Sequence, residues 1–261
     1  MAADAQAGVR VAIEPREAGF VARVTIDNSA RLNIVGSALM MDFIDKVTAL
    51  GAREDLRAVV VTGAGHRAFI GGADIHEMAA LDRALAREFI TRLHRMCAAL
   101  RDLPVPAIAR ISGYALGAGL EVAAACDLRI AATNAVFGMP EVRVGIPSVI
   151  EAALLPGLIG WGRTRELLLL GETVDAETAL RWGLVERVVP ADGLDAAVEA
   201  CLAALLKAGP RAVRLQKKLI RQWEELPVSR AIAAGIDSFT EAYATDEPSR
   251  LMRAFLERRR S

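Results

Sequence analysis

Residues 113–121 read GYALGAGLE, three glycines and two alanines running into the carboxylate of Glu121. A backbone stripped of side chains in this way is prepared for close approach, and a phosphate-binding loop is one use of such a backbone. GAGLEV at 117–122 fails the G-x-G-x-x-G/A pattern at its last position, whereas GAGHRA at 63–68 satisfies it. The second stretch runs into AFIGGAD, whose glycines would interrupt the helix that a dinucleotide site needs. No strand is expected after it until about residue 106, so the required acidic residue at the end of a next strand has no place. The chain also lacks GKS or GKT for a P-loop.

What GGA at 71–73 and GAG at 117–119 share is a run of small residues after a strand. Backbone N–H groups from two such loops can converge on one oxygen only when no bulky side chain intervenes. If the second loop opens a helix, its first N–H groups are unpaired and sit at the positive end of the dipole. An oxyanion hole built this way stabilises developing negative charge by roughly 2.7–4 kcal/mol per donor. Close packing of helix on strand is the other use of the same glycines, and spacing leaves both open.

Two carboxylates bear on the choice. Glu121 sits in the apolar run LEVAAACDL, and Glu141 follows Pro140 in FGMPEVRVGIP. Two carboxylates sharing a pocket have their proton affinities pushed apart, giving one acid and one base suited to adding or removing water beside a carbonyl. Separate capping or ion-pairing roles would account for the same spacing.

Outward from these motifs the pattern is α/β. VRVAI at 9–13 and FVARVTID at 20–27 flank a turn and read as a hairpin. Residues 37–50 place Leu39, Phe43, Val47 and Leu50 at helical spacing, and AVVVT at 58–62 follows as a buried strand. The order repeats with a helix from about Asp82 to Arg101, a strand at 106–112, a short helix from about Gly117 and a strand at 127–132, which implies crossover connections. Helical periods dominate 162–182, and LVERVVP at 184–190 is the last β-rich stretch. Helices near 194–207, 210–226, 229–243 and 247–259 each carry an apolar stripe, so a boundary is expected near 195. The tail is too short to bury those stripes alone and is expected to pack on the core or on another subunit.

The 261 residues suffice for one sizeable core, with 53% apolar and 25% charged residues. Lys plus Arg and Asp plus Glu both number 32, so no global field attracts nucleic acid or an anionic membrane. Cys97, Cys126 and Cys201 lie among apolar neighbours, as expected for buried thiols in a reducing, cytoplasmic setting. MAADAQAGVR does not read as a secretory signal, and no run approaches the ~20 apolar residues of a membrane span. Arg211, Arg214, Lys218 and Arg221 at helical spacing, with ERRRS at the end, could be offered to RNA, but a solvated charged face is the expectation.

AFIGGADIHEM (68–78), GYALGAGLEVAAACDLRIAA (113–132) and FGMPEVRVGIP (137–147) resemble the crotonase superfamily, most closely enoyl-CoA hydratases, and the resemblance extends from TIDNSARLN into the helical tail. It implies a ββα spiral core over 1–195 and a C-terminal helical trimerisation region over 196–261, assembled as a trimer or a dimer of trimers. It implies an acyl-CoA thioester substrate, a trans-2-enoyl-CoA hydrated to a 3-hydroxyacyl-CoA, with no metal and no cofactor beyond the substrate's coenzyme A. Ala73 and Ala118 would supply the oxyanion-hole N–H groups, Glu121 would help activate the water, and Glu141 would deliver a proton to C2. CoA contacts would come from Arg31, Leu32, Gly71, Gly72, Asp74 and Ile75, with Phe255 and Arg258 in the tail. A Δ3,Δ2-enoyl-CoA isomerase of the same superfamily typically needs only the carboxylate matching Glu141, so the presence of both favours the hydratase.

The sequence departs from the family pattern in two places. His76 stands where lysine is frequent, and it is expected at the surface or ligand rim. The loop after Glu141 reads GIPSVIEAALL and is poorer in glycine, so Val149 and Ile150 are expected to shape the acyl pocket. Glu151, ahead of an apolar run, is expected at the surface or at a helix start.

Overall fold

The structure, a computed structural model, describes residues 7–258. It opens with the hairpin β1 (Gly8–Arg16) and β2 (Gly19–Asp27), followed by α1 (Ser37–Gly51) and β3 (Leu56–Gly63). Then come β4 (Ala68–Ile70), α2 (Ile75–Ala79), α3 (Arg83–Arg101), β5 (Ala107–Ile111), β6 (Tyr114–Leu116), α4 (Ala118–Ala125), β7 (Leu128–Ala132) and β8 (Val136–Gly138). After two 3-10 turns, Pro140–Val144 and Ile150–Leu154, the chain forms α5 (Leu155–Leu170), β9 (Thr173–Asp175), α6 (Ala176–Trp182) and β10 (Arg187–Val189). Four helices finish it: α7 (Leu194–Lys207), α8 (Pro210–Glu225), α9 (Val228–Ala242) and α10 (Glu247–Arg258).

Two sheets organise these elements. The larger has the order β1-β2-β3-β5-β7-β10, antiparallel in the hairpin and parallel thereafter. The smaller has the order β4-β6-β8-β9, parallel except for its last pair. Successive turns of chain give one strand to each sheet and then a helix, so β3-β4-α2/α3, β5-β6-α4 and β7-β8-α5 form the repeats of the spiral. The three-residue strands of the smaller sheet escape any periodicity reading, because alternation needs four or more residues to register. In particular β4 directly follows the G-x-G-x-x-A stretch, where no strand was expected before residue 106, and no α-helix opens on residues 63–68.

β3 is buried on both faces, as its valine run implies. Val59 and Val61 join the main core with Phe43, Phe89 and Met96, while Ala58 and Val60 meet Leu194, Val198 and Leu202 of α7. The expected boundary near 195 therefore does not free α7 from the core, since this helix covers the second face of the larger sheet. Beyond it, α8 docks through buried Lys217 and Leu219, whereas α9 buries no residue and exposes Val228, Ile232, Ile236 and Phe239. Three of the four basic residues considered for RNA are engaged within the chain. Arg211 pairs with Glu241, Arg214 donates to the carbonyls of Glu54 and Leu56 (2.8 and 2.9 Å), and Arg221 pairs with Glu224. Lys218 is exposed, and residues 259–261 of the ERRRS end lie outside the described residues. Cys97, Cys126 and Cys201 are buried free thiols. Among the described residues no helix is long and apolar enough to cross a membrane.

Candidate active site

β4, β6 and β8 are parallel neighbours, so their C-terminal ends emerge side by side. The segments that leave those ends are Gly71-Gly72-Ala73, Gly117-Ala118 and Met139-Pro140-Glu141. All three open on one cavity of about 780 Å³, into which Glu121 also faces from the first turn of α4. The opposite wall is apolar, with Met78, Phe89, Ile90 and Leu93.

The two candidate oxyanion amides owe their freedom to local pairing around them. The loop after β2 runs alongside residues 71–74, where Gly71 N donates to Leu32 O (2.8 Å), Val35 N to Gly72 O (2.9 Å) and Asp74 N to Val35 O (2.9 Å). Asn33 pins this loop by donating to the carbonyls of Ala64 and Ala68 (2.9 and 2.8 Å). Gly71 and Asp74 thus spend their N–H groups on the loop, and Ala73 N–H has no partner within the described chain. Ala118 N–H, the first of α4, has none either. A buried amide left unpaired is rare enough to mark a place where an outside acceptor belongs.

The glycines on either side of Ala118 have different uses, one of them the close packing that spacing left open. A Cβ on Gly119 would come 2.1 Å from Ile70 O, so this glycine lets α4 pack on β4. A Cβ on Gly117 would come 2.2 Å from Glu141 Oε1, and its φ of +50° with ψ of −116° is a conformation that suits glycine. Gly117 therefore clears space for the Glu141 carboxylate.

Glu121 is only 4% exposed, and its Oε1 has no hydrogen-bond partner. Burial, reinforced by the charge of Glu141, raises its pKa from 4.5 to about 8, with the amides of Ala152 and Val149 offsetting part of the effect. Glu141 is placed differently, in the 3-10 turn started by Pro140, where Ser148 Oγ donates to its Oε2 at 2.8 Å. Sequence reading passed over Ser148, for which a hydroxyl seven residues after Glu141 was the available sign. It also passed over the apolar wall of α3, a segment expected only as a helix from about Asp82 to Arg101.

The remaining expected site residues divide. Gly71, Gly72, Ile75 and Val149 line the cavity. Arg31, Leu32 and Asp74 do not line it but adjoin residues that do, Arg31 being paired with Asp74 at 3.1 Å and Leu32, at a left-handed φ of 55°, accepting from Gly71 N. His76 is exposed. Ile150 does not line the cavity as expected, because its positive φ of 42° turns it against the hydrophobic core. Glu151 is likewise not at the surface. It stands in the first turn of the second 3-10 segment but is buried at 6% exposure, with Oε1 held 2.9 Å from His94 Nδ1 and Oε2 without a partner. Phe255 lies on α10 in a separate shallow groove with Leu251, Met252 and Leu256, and the side chain of Arg258 falls outside the described residues. No group of three or more His, Cys, Asp or Glu side chains among the described residues is arranged to hold a metal ion.

Comparison with known proteins gives concordant results. The sequence profile described as Enoyl-CoA hydratase/isomerase matches residues 16–261. The chain is 35% identical over 237 residues to the crotonyl-CoA hydratase of Syntrophomonas wolfei, covering 90% of this chain and 91% of that one. It is 34% identical over 243 residues to the short-chain-enoyl-CoA hydratase of Clostridium acetobutylicum, covering 93% of each. Its fold superposes on the enoyl-CoA hydratase of Bacillus anthracis with a TM-score of 0.89 at 30% identity, over 95% of this chain and 96% of that one.

Proposed function

Because the chain belongs to the enoyl-CoA hydratase/isomerase family, we propose that it is a hydro-lyase that adds water to a trans-2-enoyl-CoA to give the 3-hydroxyacyl-CoA. The observation that carries this reading is the meeting of two carboxylates and two unpaired backbone amides on one cavity. The thioester oxygen accepts from the N–H groups of Ala73 and Ala118, which draws electron density out of the double bond. A water held between Glu121 and Glu141 gives a proton to Glu121 while its oxygen bonds to C3. The displaced electron pair rests on the thioester as an enolate, and Glu141 returns a proton to C2. Ser148 fixes the Glu141 carboxylate through its 2.8 Å hydrogen bond.

Burial keeps Glu121 protonated up to about pH 8. That is the state hydration leaves behind, so each new hydration begins with Glu121 losing its proton and Glu141 carrying one.

The CoA moiety runs along Arg31 and Leu32 and the Gly71–Ile75 loop, and the acyl chain lies against Val149 and the apolar wall of α3. The exposed stripe of α9 and α10 supports assembly through the tail as a trimer or dimer of trimers. The three buried thiols suit a cytoplasmic setting. Hydration of crotonyl-CoA, followed by loss of the enoyl thioester absorbance, tests the reaction. Glu141→Gln is expected to lower kcat by about 10²–10⁴-fold. Turnover of a 3-enoyl-CoA without any hydration of crotonyl-CoA would reassign the chain to isomerisation.

A further inference from the structure

Behind Glu121, away from the cavity, lies a second set of ionisable groups that the hydration scheme leaves unused. Glu151 is buried with Oε2 unpartnered, and its Oε1 meets His94 Nδ1 at 2.9 Å. The His94 side chain is 54% exposed, so this imidazole joins a buried carboxylate to solvent. Cys97 lies one turn further along α3, is fully buried, and feels the charges of both Glu151 and Glu121. Its thiol comes close enough to influence Glu151 without making a hydrogen bond of normal geometry. The segment carrying Glu151 packs on both α4 and α3. The backbone is strained to put it there, since Ile150 is a β-branched residue at φ +42°.

We propose that the His94–Glu151 pair is a positioning dyad for Glu121, holding beside it a solvent-linked charge that decides whether the proton rests on Glu121 or on Glu141. The inference rests on the hydratase reading for its role in turnover, though not for its electrostatics. Glu121 is faced by Glu141 from the cavity side and by Glu151 and Cys97 from behind. Glu151 is faced by His94 and Cys97 from α3 and by Glu121 from α4. With His94 protonated, the dyad is neutral overall and leaves Glu121 to Glu141 alone. With His94 neutral and Glu151 ionised, a second negative charge opposes ionisation of Glu121. The charge on Glu151 is opposed by its own burial and supported by His94, so the exposed imidazole links a buried charge to the surface.

The test is a ¹³C-carboxyl titration of the glutamate-labelled protein without substrate, the Glu121 resonance being identified by its loss in Glu121→Gln. Glu151→Gln keeps the shape and removes the charge, and is expected to lower the Glu121 midpoint by about 1 pH unit. His94→Gln is expected to move the Glu151 midpoint upward, since a neutral side chain no longer supports that carboxylate. In crotonyl-CoA hydration, Glu151→Gln should shift the alkaline limb of kcat, where the glutamate pair loses its shared proton, to lower pH by the same amount, with KM within about twofold of wild type. An unchanged Glu121 midpoint in folded Glu151→Gln would overturn the proposal. Should that variant not fold, an unmoved Glu151 midpoint in His94→Gln, altered at a half-exposed site, would overturn it instead. The titration needs no turnover, so a chain that fails to hydrate crotonyl-CoA would sink the hydratase reading and leave this test standing.

Discussion

Where the tail and the strand ends meet the core, the buried cations Lys217 and Arg129 are matched. Lys217 places its ammonium on the carbonyls of Leu100 and Val105 and on Asp127, at 3.1, 2.9 and 2.7 Å. Arg129 on β7 donates to the carbonyls of Leu184 and Cys126, at 2.9 and 2.7 Å, and pairs with Glu186. Glu121 at the cavity and Glu151 beyond its lining are as deeply buried, yet each keeps a carboxylate oxygen with no partner. A buried polar group without a partner costs about 1–3 kcal/mol or more. The matched charges stitch the tail and the strand ends to the core, while the unmatched ones hold protons where ordinary carboxylates would not. The unsatisfied buried carboxylates lie with the chemistry, and the matched buried cations Lys217 and Arg129 with the scaffold.

Three substitutions or conditions put that contrast to the test. The largest effect is expected from Gly117→Ala, whose Cβ would displace the Glu141 carboxylate and oppose a left-handed backbone. Its kcat for hydration should fall by about 10²-fold or more, as loss of a positioned acid group implies. A near-normal rate would show that Glu141 needs no cleared space over Ala118. On the scaffold side, Lys217→Met is expected to destabilise the fold by about 3 kcal/mol in denaturant unfolding, the low end for a broken buried pair because Asp127 is partly exposed. Activity per folded molecule should be retained, and a selective loss of kcat would erase the contrast.

The last effect is one of pH on stability. Between the ordinary glutamate value of 4.5 and about 8, the folded chain holds a proton on Glu121 that the unfolded chain releases. The folded state binds more protons in that window, so this group's contribution falls as pH rises through it. The melting temperature of wild type should therefore decline more from about pH 5 to about pH 8 than that of Glu121→Gln, by roughly ten degrees. Equal slopes would mean that Glu121 ionises as freely in the fold as outside it.

Much of the scaffold was legible along the chain because its elements are long enough to show a period. The valines of β3 and the apolar stripes of α1 and α3 read directly as strand and helix, and the tail helices were placed within about two residues at each end. The smaller sheet was not legible, since β4, β6, β8 and β9 have three residues each. Glu151 stands at a helix start as expected, but its burial was not legible. A glutamate ahead of AALL fits a helix start, and only the turn at Ile150 and the approach of His94, 57 residues away in sequence, carry it inward.

By itself the sequence determined which chemical groups are present and where the backbone is bare: the small residues at 71–73 and 117–119, and the glutamates at 121 and 141. These are local properties, settled by residue type and spacing. The tertiary structure alone decided that the loops meet, because parallel pairing of β4, β6 and β8 brings three distant segments to one edge. It decided the proton on Glu121 as well, since ionisation depends on how much water and how much charge surround a carboxylate, and neither is a property of the chain taken one residue at a time.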